Sequence, residues 1–220
     1  MAALQFVVAD PNEIVRKGIC ALIREQPGWK VAAEARDGRE AVEITKQVNP
    51  EVTILDFGMP LLNGVDAARQ IVKSGSRTKV LILTTQCTDL LIQGALEAGV
   101  RAYLLKSDRE LDFISAVEAL HYGKTFFTPT VAEMVLNGYL GRNHKIASDA
   151  VQSEDLRLTN RQREIVQLIS EGNSSKEVAV ILGISVKTAE THRGNIMQKI
   201  DCHSVAGLVR YAIRNHIIEA

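Results

Sequence analysis

Val52-Thr53-Ile54-Leu55-Asp56-Phe57-Gly58-Met59-Pro60 decides the reading of the first half of the chain. Four apolar or β-branched residues, the length of a buried strand, end on an acid and run into a turn marked by Gly and Pro. Runs of the same kind occur on either side, at Leu4–Ala9, Val31–Ala35, Val80–Thr84 and Ala102–Leu105. The segments between them have helical spacing of apolar residues: Ile14–Arg24, Arg39–Val48, Val65–Lys73 and Leu90–Ala98, with Leu111–His121 after the last strand. Five strands alternating with five helices predict an α/β fold, a parallel sheet covered on both faces.

In such a sheet the chemistry lies beyond the carboxyl ends of the strands, where the strand order reverses. The first strand is followed by Asp10 and the third by Asp56, the fourth ends in Thr84, and the fifth is followed by Lys106. Two carboxylates, a hydroxyl and an ammonium on one sheet edge suit phosphoryl transfer to a carboxylate. One acid serves as the nucleophile, the acids hold a divalent cation, and cation, lysine and hydroxyl take up the phosphoryl oxygens.

Residues 3–125 resemble the receiver domains of response regulators. The resemblance rests on Val7-Val8-Ala9-Asp10, on Leu55-Asp56-Phe57-Gly58-Met59-Pro60 with Gly64, on Leu83-Thr84, and on Tyr103-Leu104-Leu105-Lys106. It implies a flavodoxin-like, five-stranded parallel sheet with Asp56 as phosphoacceptor. It further implies Thr84 and Tyr103 as a switch pair, Lys106 as a phosphoryl contact, and Mg²⁺ held by Asp10, Asp56 and Gly58. The family usually carries two adjacent acids after the first strand, whereas this chain has Asp10-Pro11. Proline has no side-chain oxygen, so weak Mg²⁺ binding is expected, with Asn12 or Glu13 as the neighbours that would have to compensate.

After Gly123 the strand–helix rhythm stops. Residues 126–155 read as a linker in which Val131–Leu140 forms one further helix and Gly141–Asp155 is polar and aperiodic. The remainder, 156–220, has an all-α pattern of four helices. Thr159-Asn160-Arg161-Gln162 and Ser174-Ser175-Lys176-Glu177 have the form of capping boxes, and Ser185 is a third N-cap. Between Ser175 and Gly194 the spacing is that of a helix-turn-helix. Ala179 sits where two helices pack closely, Gly183 at the turn, and Ala189 and Ile196 face inward. The second helix of the pair then presents Lys187, Glu190, Thr191 and Gly194 along one outward face, flanked by Arg193, Asn195 and Lys199.

The stretches Leu158–Glu164, Glu171-Gly172 and Ser185–Arg193 make residues 156–218 similar to a LuxR-type DNA-binding domain, and together with the receiver they resemble the NarL/FixJ class of response regulators. The resemblance implies double-stranded DNA as partner, read by Lys187, Thr188, Glu190, Thr191, Arg193, Gly194, Asn195 and Lys199. It also implies a cognate sensor histidine kinase, and a homodimer formed through the last helix, whose stripe is Val205, Leu208, Val209, Ala212 and Ile213. Lys187 and Lys199 are expected on phosphates. Glu190 would accept from a cytosine amine or pair with Arg193 at i,i+3, and His192 reads as a packing residue. The expected function is a transcription regulator controlled by aspartyl phosphorylation, not an enzyme. The alternative is a pseudo-receiver transcription factor regulated without phosphorylation, for which Pro11 speaks.

Composition agrees with these classes. Of 220 residues, 46% are hydrophobic and 24% charged, and no apolar run has the length of a membrane span. Net charge is zero, but its distribution is uneven: residues 156–220 carry 9 Lys/Arg against 6 Asp/Glu, while residues 1–127 carry 15 against 16. No signal peptide is legible. Cys20, Cys87 and Cys202 are widely spaced and odd in number, which suits neither a disulfide framework nor a zinc site and fits a reducing cytoplasm.

Overall fold

A computed structural model describes residues 3–136 and 158–219, which fall in two compact units, Met1–Tyr139 and Leu140–Ala220. The first unit runs β1 (Leu4–Ala9), α1 (Glu13–Glu25), β2 (Trp29–Ala35), α2 (Gly38–Val48), β3 (Val52–Leu55), α3 (Gly64–Lys73), β4 (Lys79–Thr84), α4 (Asp89–Glu97), β5 (Ala102–Leu105), α5 (Glu110–His121) and β6 (Phe126–Phe127). All neighbouring strands are parallel, in the order β2-β1-β3-β4-β5-β6. Five of the strands are those the sequence predicts. The sixth is an addition, two residues long, in register with Ala102 and Tyr103.

Because β3 is buried on both faces, alternate side chains feed two cores. Val52 and Ile54, with Phe6, Val8, Leu81 and Leu104, pack under α1 and α5. Leu55, Ile82 and Tyr103 pack under α2, α3 and α4. The order reverses at β1, which lies between β2 and β3, so the crevice at the carboxyl ends opens between Asp10 and Asp56.

The segment after β6 departs from the linker reading. Residues 129–136 form a helix, α6, that belongs to the first unit; its Val131 is fully buried in the core beneath α4. The helix begins two residues before the expected Val131 because Pro129 occupies its first position, where a missing N–H costs nothing. Residues 137–140 of the expected helix, and Gly141–Asp155, lie outside the described residues.

Among its described residues the second unit has four helices: α7 (Asn160–Ser170), α8 (Ser175–Leu182), α9 (Val186–Lys199) and α10 (Val205–Arg214). Both expected capping boxes are formed, Thr159 with Gln162 and Ser174 with Glu177, and the Ser185 side chain caps α9. Gly183 ends α8 in the left-handed region at φ 63°, which lets α9 turn away after two further residues. Ile165, Leu168, Val178, Ala179, Ala189, Ile196, Leu208 and Ala212 form the buried interior. Among the described residues no helix is long and apolar enough to cross a membrane.

Candidate phosphoryl site and nucleic-acid interface

Each acid at the sheet edge is fixed by its own backbone. Asp10 N–H donates to Ala35 O across to β2, and Asp56 N–H donates to Ala9 O across to β1. Asp10 Oδ1 accepts from the Asn12 N–H at 2.8 Å, and Asp56 Oδ2 accepts from the Gly58 N–H at 3.0 Å. The remaining oxygens face each other across the crevice, and Lys106 bridges them: its Nζ is 2.7 Å from Asp10 Oδ2 and 2.9 Å from Asp56 Oδ1. Lys106 is placed there by its own N–H, which donates to Thr84 O at 2.8 Å. The close entry of α3 behind Asp56 depends on Gly64, since a Cβ at that position would run into the Asp56 carbonyl oxygen.

Burial pushes the Asp56 carboxyl above the ordinary carboxylate range, against the lowering pull of the Lys106 ammonium and the Gly58 N–H; the Asp10 charge adds to the rise. Burial lowers Lys106, but its hydrogen bonds to Asp10 and Asp56 outweigh that and hold it above its ordinary value, so it stays charged. Thr84 is fully buried, with its hydroxyl oxygen accepting from the Gln86 N–H at 3.3 Å. Tyr103 is 1% exposed and donates its hydroxyl to Gln86 O at 2.6 Å. Asp10, Asp56, Thr84 and Lys106 therefore converge on one edge. Tyr103 joins them through Gln86.

The donors at this edge bear on Mg²⁺. Asp10 Oδ2 is buried, with the Lys106 ammonium 2.7 Å away. Asp10 and Asp56, with a backbone oxygen of Gly58, suit a hard cation that keeps most of its waters. No cluster of three or more His, Cys, Asp and Glu side chains is present among the described residues. Both neighbours named as substitutes for the missing acid make other contacts in this structure. Asn12 Oδ1 accepts from Ile14 N–H and Val15 N–H as the cap of α1, and Glu13 turns outward to Lys17 Nζ at 2.6 Å.

One residue behind this site escaped the sequence reading. Arg16 is 4% exposed, donates to Asp10 O at 2.8 Å and pairs with Glu34 on β2 at 3.0 Å. Its signal was a cation on the buried stripe of α1, in line with Ile19, Cys20 and Ile23.

In the second unit α9 exposes Lys187, Thr188, Glu190, Thr191, Gly194 and Asn195, with Arg193 and Lys199 partly covered. Ala189 and Ile196 anchor the opposite side at 1% exposure each. His192 is partly buried, as a packing residue would be. Among the described residues Glu190 makes no ion pair with Arg193, and it is exposed. Arg161 ties α7 to the end of α8 by donating to Leu182 O at 2.9 Å while pairing with the buried Glu164. On α10, Leu208 and Ala212 point inward, whereas Val205 is exposed and Val209 and Ile213 are only half-covered.

Residues 6–118 match the response regulator receiver domain family, and residues 156–212 match the bacterial regulatory proteins, luxR family. Over 215 residues the chain is 33% identical to the transcriptional regulatory protein LiaR of Bacillus subtilis (strain 168), spanning 98% of this chain and 99% of LiaR. It is also 33% identical over 217 residues to the oxygen regulatory protein NreC of Staphylococcus carnosus, spanning 98% of this chain and all of NreC, 100%. A crystal structure of a two-component response regulator of the LuxR family from an Aurantimonas species superposes with a TM-score of 0.60 at 28% identity, over 63% of this chain and 99% of that one.

Proposed function

Since the chain belongs to the response regulators that join a receiver domain to a LuxR-type DNA-binding domain, we propose that it takes a phosphoryl group on Asp56 and that this controls DNA binding by α9. The observation that carries the reading is the single ammonium of Lys106 set between two buried carboxylates at the switch of strand order. An oxygen of Asp56 forms the new bond to phosphorus. The bond from phosphorus to the donor breaks, and the leaving group departs with its electron pair. Lys106, fixed by its backbone bond to Thr84, turns its charge to the phosphoryl oxygens, and the Thr84 hydroxyl donates to one of them. Mg²⁺ held by Asp10, Asp56 and Gly58 would supply further charge neutralisation. A sensor histidine kinase is the natural donor, and three free cysteines fit a reducing compartment. The test is to incubate the protein with acetyl phosphate and Mg²⁺ and weigh it intact: one phosphoryl group is expected, and no mass gain would count against the reading.

The pseudo-receiver reading rests on Pro11, the engagement of Asn12 and the outward turn of Glu13. Both readings predict that Pro11→Asp tightens Mg²⁺. A carboxylate added beside the cation is worth on the order of 1–2 kcal/mol after desolvation, about tenfold in affinity. A Mg²⁺ titration of wild type against Pro11→Asp measures this; equal affinities would mean that water already fills the position.

On DNA, Lys187 and Lys199 would neutralise phosphates while Thr188, Glu190, Thr191, Gly194 and Asn195 look toward base edges, with Arg193 at the flank. Lys187→Ala and Lys199→Ala are each expected to weaken binding to all sequences and to flatten the salt dependence by about one unit. Isotherms at several salt concentrations check this, and unchanged slopes would remove both lysines from the interface. For the homodimer, the half-covered Val209 and Ile213 beside exposed Val205 form the contact edge. Val209→Asp is expected to abolish cooperative binding to a two-fold site while α10 stays folded through Leu208 and Ala212. Retained cooperativity would place the dimer contact elsewhere.

A further inference from the structure

Thr84 and Tyr103 grip the same residue from opposite sides. Gln86 gives its N–H to the Thr84 hydroxyl and receives the Tyr103 hydroxyl at its carbonyl. The next residue along the β4–α4 loop, Cys87, sets its thiol 3.3 Å from the thioether of Met134 on α6. Burial raises the Cys87 thiol above its ordinary value, so the pair is a neutral, polarisable contact. Behind it, Val131 is fully buried, and Phe127, Met134 and Val135 pack on the cluster that contains Tyr103, Leu91 and Ile92. A continuous chain of contacts thus runs from the phosphoryl site through Gln86 and Cys87 to α6.

Helix α6 is a responsive end for such a chain. Its described residues pack on the first unit through Met134 and Val135 as well as the buried Val131. Among the described residues of α6, only Val131 is fully buried. The loop carrying Gln86 and Cys87 forms part of the surface on which α6 docks.

We propose that α6 is the output element of the receiver: its docking is controlled by the hold of Thr84 and Tyr103 on Gln86, and drawing Thr84 to a phosphoryl group loosens it. The second half of this statement rests on Asp56 being the phosphoacceptor; the first half does not. Thr84 cannot move toward Asp56 without pulling on the N–H of Gln86, and Cys87 is one peptide farther along. The coupling is reciprocal, since any energy that links loop to helix links helix to loop.

Hydrogen exchange on the full-length protein tests it. Tyr103→Phe keeps the buried ring and removes only the hydroxyl; amides of residues 129–136 should then exchange several-fold faster, with α1 unchanged. Met134→Ala should in turn speed exchange at residues 85–88. If Tyr103→Phe speeds residues 85–88 alone and Met134→Ala leaves that loop as it was, α6 is not coupled to the switch and the proposal falls. With acetyl phosphate and Mg²⁺, labelled protein should lose protection at 129–136. Labelling without that loss overturns the release. Failure to label at all counts against the phosphoacceptor reading, and the two substitutions still decide the coupling.

Discussion

Asp56→Asn is expected to abolish phosphoryl uptake completely and, at the same time, to raise the melting temperature of the receiver at neutral pH. The first effect follows because an amide has no carboxylate oxygen to form the bond to phosphorus. The second follows from burial, which lifts the Asp56 carboxyl above its ordinary value and makes the ionised form more favourable in the unfolded chain than in the fold. That penalty is absent below the ordinary carboxylate pKa of about 3.9 and complete once the pH has risen past the folded-state value. The advantage of the asparagine variant should accordingly grow as pH rises out of the acid range and vanish at its lower end. Lys106 keeps Asp10 as a partner in the variant, so the ammonium is not left buried alone. Thermal melts of both proteins across pH check the sign. A variant less stable than wild type at neutral pH would mean that the ion pair with Lys106 outweighs the desolvation of Asp56.

Gly64→Ala is expected to damage both fold and site. The added Cβ would fall on the carbonyl oxygen of Asp56, a backbone atom with no rotamer to yield, and Gly64 N–H is itself tied to Phe57 O at 3.0 Å. Either α3 shifts away from the sheet, opening the core at Val65, Ala67 and Ala68, or the Asp56 peptide moves. Backbone displacement of this kind costs roughly 3 kcal/mol, which for a unit of this size corresponds to a melting temperature about 6–12 °C lower. Because Asp56 moves with its peptide, phosphoryl uptake should fall with stability. Gly94→Ala is the control: its Cβ would meet only the Val65 side chain at 3.6 Å, an ordinary contact. Equal melting temperatures for Gly64→Ala and wild type would contradict the account of how α3 is set.

The strands were legible because burial on both faces leaves unbroken apolar runs, and their ends were legible because the chemistry there needs charged or hydroxyl residues. Leu4–Ala9, Val52–Leu55 and Ala102–Leu105 have the same bounds in sequence and structure. Strand β2 begins earlier, at Trp29, because its first residues extend the pairing with Leu4 and Gln5 beyond the apolar run. Strand β6 was illegible, since two phenylalanines carry no period. The contact of α6 with the β4–α4 loop joins residues 47 positions apart, Cys87 and Met134, through sulfur atoms with no sequence signature. The capping role of Asn12 is local: an Asn before a helix is first a cap, and its oxygen accepts from Ile14 and Val15.

The central claim is that a phosphoryl group on Asp56 changes how the second unit meets DNA. A binding isotherm on one promoter fragment, recorded with and without acetyl phosphate and Mg²⁺ at fixed salt, tests it most directly. The account predicts tighter binding after treatment for wild type and identical isotherms for Asp56→Asn. Identical isotherms for wild type, in protein whose intact mass has gained the phosphoryl group, would contradict it.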